Sequence, residues 1–283
     1  MHGNWLSNAG SAQTKSERSI MATMTNDVGG AYALLADMGT GKTLVAIAVA
    51  GRLFLDGHIK RLLIVAPASV CTNWPSEFEQ FADYDVRVQL LLGVRAKRLK
   101  ALDVLNEPTP DGCQDVLRVG IINYESTWRL EEELTKFAPD MIVCDESQRI
   151  KSPTSAQSKC LHRLGMLAKY RMIMTGTPIQ NNVLDIWSQY KFLAPGTFHD
   201  RYYAFQRHYA VMGGFQNHKY LGPANLDELT IKTHSIAYRV QKSECLDLPD
   251  KIFENRTVLL EPSARRNRSP NWKTAARLQP RSF

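Results

Sequence analysis

From Ala31 to Thr175, short apolar runs alternate with longer stretches whose apolar residues recur every three or four positions. The runs Ala31–Ala36, Arg61–Ala66, Val86–Leu91, Arg118–Asn123, Met141–Asp145 and Arg171–Thr175 predict strands. Several are nearly continuous in apolar residues, as strands buried on both faces of a parallel sheet must be. Between them, Thr43–Leu55, Asn73–Phe81, Arg95–Leu105, Ser126–Phe137 and Ser155–Leu164 predict helices. This rhythm predicts an α/β fold with a doubly wound parallel sheet, its ligands at the carboxyl ends of the strands. After Thr175 the pattern becomes mainly helical, over Val183–Leu193, Arg201–Tyr209 and Asn225–Thr233, so a helical C-terminal extension is expected. Gly213-Gly214 and the stretch through Pro223 read as a loop or small hairpin, and Asn106–Gln114, with two prolines and a glycine, as a surface loop. Residues 1–28 are polar and aperiodic, which predicts a weakly ordered start.

Composition narrows the class. A hydrophobic content of 44% over 283 residues supports a sizeable core. No apolar run approaches the roughly 20 residues of a membrane-spanning helix, so no membrane partner is expected. The five cysteines, at 71, 113, 144, 160 and 245, are scattered and lack Cys-x-x-Cys spacing. That favours a reducing compartment over a disulfide framework or a structural zinc site. Histidines 162, 199, 208, 218 and 234 show no metal-ligand spacing either. The net charge of +7 is misleading: residues 261–283 hold six Arg/Lys against one acid, Glu261, and so account for most of it. A short basic tail of this kind reads as disordered, and the body of the chain is near neutral.

Chemistry enters at Asp37-Met38-Gly39-Thr40-Gly41-Lys42-Thr43, between the first predicted strand and the first predicted helix. A strand, a glycine-bearing turn and a helix form a phosphate-binding loop, whose backbone N–H groups and helix N-terminus face a polyphosphate. Lys42 is placed to reach the β/γ phosphates and Thr43 to ligate Mg²⁺. Gly-Thr-Gly alone could be an ordinary turn, but the Lys-Thr pair at this offset favours the phosphate reading. The strand Met141–Asp145 then ends in Asp145-Glu146. Asp145 suits anchoring Mg²⁺, and Glu146 suits orienting or deprotonating a water. Taken alone, the pair could equally cap the helix or loop after it; together with the phosphate loop it reads as catalytic. A further strand end, Thr175-Gly176-Thr177-Pro178, puts hydroxyls on the same rim, where they can sense metal and phosphate.

The ordered set resembles the first, RecA-like motor lobe of Swi/Snf-related superfamily 2 helicase-like ATPases. The matching residues are Asp37 to Thr43, Ala66-Pro67-Ala68-Ser69-Val70 with Trp74 and Phe78, and Ile122-Asn123-Tyr124-Glu125. They continue with Asp145-Glu146-Ser147-Gln148 through Ser152, Thr175 to Asn181, and Tyr238 to Lys242 with Leu248-Pro249. Asp-Glu-Ser-Gln stands where Asp-Glu-Ala-His is commoner, a variation associated with phage-type members. The resemblance implies an ATP- and Mg²⁺-using translocase on double-stranded DNA. Asp37 to Thr43 would hold nucleotide, Thr43 and Asp145 the metal, and Lys42 and Glu146 would be catalytic. Gln148, Thr175, Gly176 and Thr177 would relay phosphate state. Ser69, Asn73, Asn123 and Tyr124 would touch the DNA backbone without reading sequence. It also implies a cytoplasmic setting in a bacterial or phage-infected cell.

The domain division expected is 1–28, a loose N-terminus; 29–195, the ATP-binding lobe; 196–260, a helical extension and lobe exit; and 261–283, the basic tail. The family pattern calls for a second lobe beyond Leu260, so a truncated or split motor, slow on its own, is the expectation. A separately encoded second lobe is then a candidate partner. Gln13 is the nearest glutamine that could read adenine, in surroundings that match poorly. Two rivals stay open: a non-enzymatic DNA- or partner-binding half, and a different P-loop enzyme. The basic run Arg95, Lys97, Arg98 and Lys100 reads as a solvated helix face. Tyr202, Phe205 and Tyr209 read as packing residues at helical spacing.

Overall fold

The computed structural model describes residues 30–108, 115–215 and 219–240. The expected N-terminus, Gln13, most of the Asn106–Gln114 loop, the lobe exit beyond Val240 and the basic tail lie outside them. The strands are β1 Ala31–Ala36, β2 Arg61–Ala66, β3 Val86–Leu90, β4 Leu117–Asn123, β5 Met141–Asp145, β6 Tyr170–Thr175, β7 Ala210–Gly213, β8 Lys219–Pro223 and β9 Ala237–Val240. Seven of them form one sheet in the order β3-β4-β2-β5-β6-β1-β9, and every neighbouring pair is parallel. β7 and β8 make a separate antiparallel hairpin. The helices are α1 Lys42–Leu55, α2 Ala68–Cys71, α3 Trp74–Phe81, α4 Arg95–Asn106, α5 Tyr124–Thr127, α6 Glu131–Phe137, α7 Ala156–Leu167, α8 Asp185–Leu193, α9 Tyr202–Tyr209 and α10 Leu226–His234.

Alternation along each central strand divides the core into two layers, because successive side chains leave opposite faces of a sheet. On one face Tyr32, Leu34, Leu62, Ile64, Met141 and Val143 pack with Val45, Ile47 and Leu53 of α1 and with Trp74 and Phe78 of α3. On the other, Ala33, Leu35, Leu63, Val65, Ile142 and Cys144 pack with residues of α4 to α8, including Leu105, Leu134, Leu161, Leu164 and Phe192. Both faces being covered explains why these strands are apolar throughout. Arg171 at the start of β6 ties the second layer down. Its guanidinium donates to the carbonyls of Leu193 (2.8 Å), Gly165 (2.7 Å) and Ala168 (3.1 Å), which α7 and α8 leave unpaired at their ends.

Three expectations change. Ala237–Val240, assigned to a helical extension, is a seventh strand paired in parallel with β1. It is four residues long and mixed in polarity, and its partner lies some 200 positions away in sequence, so no local pattern marks it. The single helix expected over Ser126–Phe137 is broken: α5 gives way to a 3₁₀ turn at Trp128–Leu130, and Leu130 leaves helical geometry at φ −123° and ψ 20° before α6 begins. A short helix, α2, precedes α3 where only one helix is expected. The other elements fall within a few residues of their predicted bounds. Arg95 does not face a solvent-only surface; it bonds the Arg129 carbonyl and the Glu133 carboxylate. Phe205 and Tyr209 are fully buried against Phe198, as the helical spacing predicts.

Candidate nucleotide site

Because the sheet is parallel throughout, every strand delivers its following turn to the same edge. β5, β6 and β1 are consecutive there. They bring together the acid pair, the Thr175 to Pro178 turn and the phosphate loop. The loop can curl because Gly39 and Gly41 take left-handed φ values of 81° and 82°, which a side chain would oppose. Gly41 caps α1 and points the helix N-terminus at the loop. Thr40 closes the curl by donating its hydroxyl to the Asp37 carbonyl at 2.8 Å. Lys42 Nζ donates to the carbonyls of Ala36 (2.9 Å) and Asp37 (3.2 Å), which holds the ammonium across the mouth of the loop. Asp37 and Thr43 are half-buried, and Met38 is exposed. Gly176 lets the β6 turn close on this loop: a Cβ there would lie 3.2 Å from the Ala36 carbonyl oxygen.

Asp145 is buried, and its carboxyl is pushed up to about 6. Burial is the main cause and the neighbouring Glu146 charge the second. Lys42, the Glu146 N–H (3.0 Å) and Trp74 act the other way. The Lys42 charge therefore reaches Asp145. The Trp74 indole nitrogen is itself buried with no hydrogen-bond partner of good geometry, yet lies close enough to Asp145 to favour its ionised form. A buried carboxylate so poorly compensated suits Mg²⁺, and the Thr43 hydroxyl at the start of α1 offers a second hard oxygen on the same sheet edge.

Glu146 sits in left-handed geometry, φ 50° and ψ 54°, a strained state for a residue with a side chain. Its carboxylate heads a chain of hydrogen bonds. Gln148 Nε2 donates to Glu146 Oε2 (2.8 Å), the Thr175 hydroxyl donates to Gln148 Oε1 (2.7 Å), and the Thr177 N–H donates to the Thr175 oxygen (3.0 Å). A carboxylate only accepts, so the orientation of the Gln148 amide is chemically determined. A glutamine supplies this donor and acceptor at every pH, whereas a histidine does so only in one neutral tautomer.

The residues expected to meet DNA lie on the adjoining rim, after β2 and β4. Ser69 and Asn73 are exposed, and Asn123 is half-buried with its amide bonded to Glu125 at 2.8 Å. Tyr124 is placed differently. It is fully buried, and its hydroxyl donates to the Asp145 carbonyl at 2.7 Å, so its side chain serves the acid turn. Sequence reading gives no role to Ser147, Lys151, Asp185 or Gln189. The Asp185 carboxylate accepts the N–H groups of Gln180 and Asn181, and Ser147 bonds Gln189. The available signal is polarity in a buried helix: Asp185, Ser188 and Gln189 are buried among the apolar residues of α8. Among the described residues no cluster of His, Cys, Asp and Glu could hold a metal ion by itself.

A parallel sheet whose first strand feeds a phosphate loop, with an acid pair and a threonine-bearing turn on the next strands, defines a RecA-like P-loop ATPase lobe. Residues 15–267 match the SNF2-related domain, and the chain belongs to that family. It is 32% identical over 252 residues to the DNA repair and recombination protein RAD54 of Oryza sativa subsp. japonica, covering 82% of this chain and 24% of that protein. It is 36% identical over 169 residues to the ISWI chromatin-remodeling complex ATPase ISW2 of Saccharomyces cerevisiae, covering 59% and 14%. Its fold matches the Sulfolobus solfataricus SWI2/SNF2 ATPase core in complex with dsDNA with a TM-score of 0.63 and 28% identity, over 82% of this chain and 44% of that one. The chain thus spans about a quarter or less of these curated relatives and under half of that core. The family implies ATP use, typically with Mg²⁺.

Proposed function

We propose that this chain is the ATP-binding lobe of a DNA-dependent ATPase that moves along double-stranded DNA. The observation that carries the reading is that β1 and β5 bring Lys42 and the Asp145-Glu146 pair to one sheet edge on either side of β6, with a hydrogen-bonded relay running from Glu146 to Thr177. In this reading the Gly39 to Thr43 backbone and the Lys42 ammonium cradle the β and γ phosphates. Thr43 and Asp145 would hold Mg²⁺, which would neutralise charge on the phosphates when bound. Glu146 orients the attacking water and accepts its proton. Gln148 and Thr175 register where the Glu146 carboxylate stands and pass that position to the Thr177 turn.

DNA enters through the neighbouring rim. Ser69 and Asn73 offer neutral donors to phosphate oxygens there, contacts that fix the protein on the duplex without reading bases. That the Sulfolobus core was solved with dsDNA supports the choice of ligand. A second lobe, on the same polypeptide or encoded separately, would close over the nucleotide and complete the charge stabilisation of the transition state. The test is phosphate release from Mg·ATP with and without duplex DNA, run beside Glu146→Gln. Release that is slow in the chain alone, rises with duplex and vanishes in the variant is expected. Nucleotide binding and turnover indifferent to DNA would move the chain to the rival class of other P-loop enzymes.

A further inference from the structure

We propose that Ser147 and Gln189 form a buried strut that makes the acid turn after β5 and the Thr177 to Asn181 turn after β6 move as one body. The inference rests on the ATPase reading above. The Ser147 hydroxyl donates to Gln189 Oε1 at 2.7 Å. The same amide donates through Nε2 to the Pro178 carbonyl at 2.7 Å and to the Asp185 carbonyl at 2.9 Å. Ser147 is 0% exposed and Gln189 1%. No water can take over a bond that stretches, so parting the two groups would strand buried polar atoms. One turn earlier on α8, the Asp185 carboxylate accepts from Gln180 N (3.0 Å) and Asn181 N (2.8 Å). α8 therefore grips the second turn at Pro178 and again at Gln180–Asn181, and touches the acid turn at Ser147. Lys151 adds an outer tie, donating to Gln180 Oε1 at 2.8 Å.

A polar strut does what an apolar contact cannot. Apolar surfaces attract without direction and can slide, whereas a hydrogen bond fixes distance and angle. The planar Gln189 amide links Ser147 to Pro178 through two bonds and one rigid group. The commoner Asp-Glu-Ala-His form has an alanine at the Ser147 position and could make no such bond. Two links therefore join the turns here: the Glu146–Gln148–Thr175–Thr177 relay at the surface of the site, and the Ser147–Gln189–Pro178 strut beneath it. Ser147 and Gln189 are positioning residues.

The experiment uses the full 283-residue chain and a non-hydrolysable Mg·ATP analogue. Two readouts are taken: analogue affinity, and amide hydrogen exchange over residues 177–181 with and without analogue. In the parent, bound analogue should slow exchange of the turn. The double variant Ser147→Ala/Gln189→Leu keeps the volume but also takes the Gln189 donor from the Pro178 and Asp185 carbonyls, so its thermal midpoint should fall while its affinity for the analogue stays close to the parent's. Its turn should lose the response to nucleotide by about fivefold. Ser147→Ala alone, which removes one bond and little volume, should lose most of it as well, and serves if the double variant folds poorly. A full response in either folded variant overturns the strut. So does a parent that binds the analogue with no change in the turn. A parent that does not bind the analogue removes the ATPase reading, and the strut with it.

Discussion

At the ends of β5 and β6, polar side chains are buried and bonded to one another; after β2, at Ser69 and Asn73, they stand in the open. Asp145, Ser147, Thr175 and Gln189 are all under a tenth exposed, and most of their hydrogen bonds are to each other or to nearby main chain. Ser69 and Asn73, one strand across, are exposed and have no partner of this kind. The first rim has fixed its geometry before any ligand arrives, which is what a site of charge development needs. The second leaves its polar groups to be satisfied by something outside the protein. The contrast suits a phosphate-transfer site beside a surface that grips and releases a long polymer.

The sharpest way to break the comparison is to remove the proposed base. Glu146→Gln keeps the shape and the bond from Gln148 possible while abolishing proton acceptance. Hydrolysis should fall by roughly 10²- to 10⁴-fold, with Mg·ATP affinity little changed, and phosphate release against analogue titration separates the two. Lys42→Ala should instead weaken nucleotide binding itself, since the ammonium contributes to the bound state and not only to the transition state.

Next in size is a stability gain. The Asp145 carboxyl stands at about 6 in the fold against an ordinary 3.8, so folding takes up a proton between those values. A carboxyl with a raised folded-state pKa opposes folding above about pH 6, and that penalty disappears below about pH 4. Asp145→Asn should therefore stabilise the metal-free protein by up to about 3 kcal/mol at pH 8. The gain should shrink steadily toward pH 4. Urea denaturation at several pH values in chelator measures it. A gain equal at pH 4 and pH 8 would contradict the electrostatic origin. The first rim, in this account, gives up stability for a charge that a metal would repay.

Tyr124→Phe probes the support beneath that charge. It strips the 2.7 Å bond to the Asp145 carbonyl and leaves that oxygen without this donor, a cost of about 1–3 kcal/mol. A stability change near zero would mean the carbonyl has another partner.

How much of this is legible in the sequence depends on where each feature's cause lies. The strands β1 to β6 and the phosphate loop are readable because apolar runs, buried on both faces in the central strands, and glycine-bearing turns leave local marks. The convergence of Lys42 with Asp145 comes from parallel strands alone, since parallel strands share an edge. β9 is not readable, because what makes it a strand is the free edge of β1. Tyr124 is expected at the DNA backbone only from the family resemblance; its burial comes from tertiary packing with α6 to α8, which no local pattern marks. The Ser147–Gln189 bond joins positions 42 apart, and only tertiary packing could bring them together.

The smallest expected effect belongs to the open rim and tests whether it is open for DNA. Asn73 occupies the position before α3, yet its side chain makes no capping bond, and its carbonyl, which accepts from Ser76 at 2.8 Å, survives truncation. Ser69→Ala and Asn73→Ala should each change stability by less than about 0.5 kcal/mol. Each should weaken binding to duplex DNA about two- to fivefold, the worth of one neutral hydrogen bond to phosphate. Because neither side chain is charged, neither displaces a counterion, and the slope of affinity against salt should stay that of the parent. Fluorescence anisotropy with a labelled duplex at several salt concentrations reads both quantities. Unchanged affinity in the double Ala variant would turn the DNA contact toward other residues of the edge. An altered slope would mean that the substitutions had moved a lysine or arginine, not removed a neutral contact.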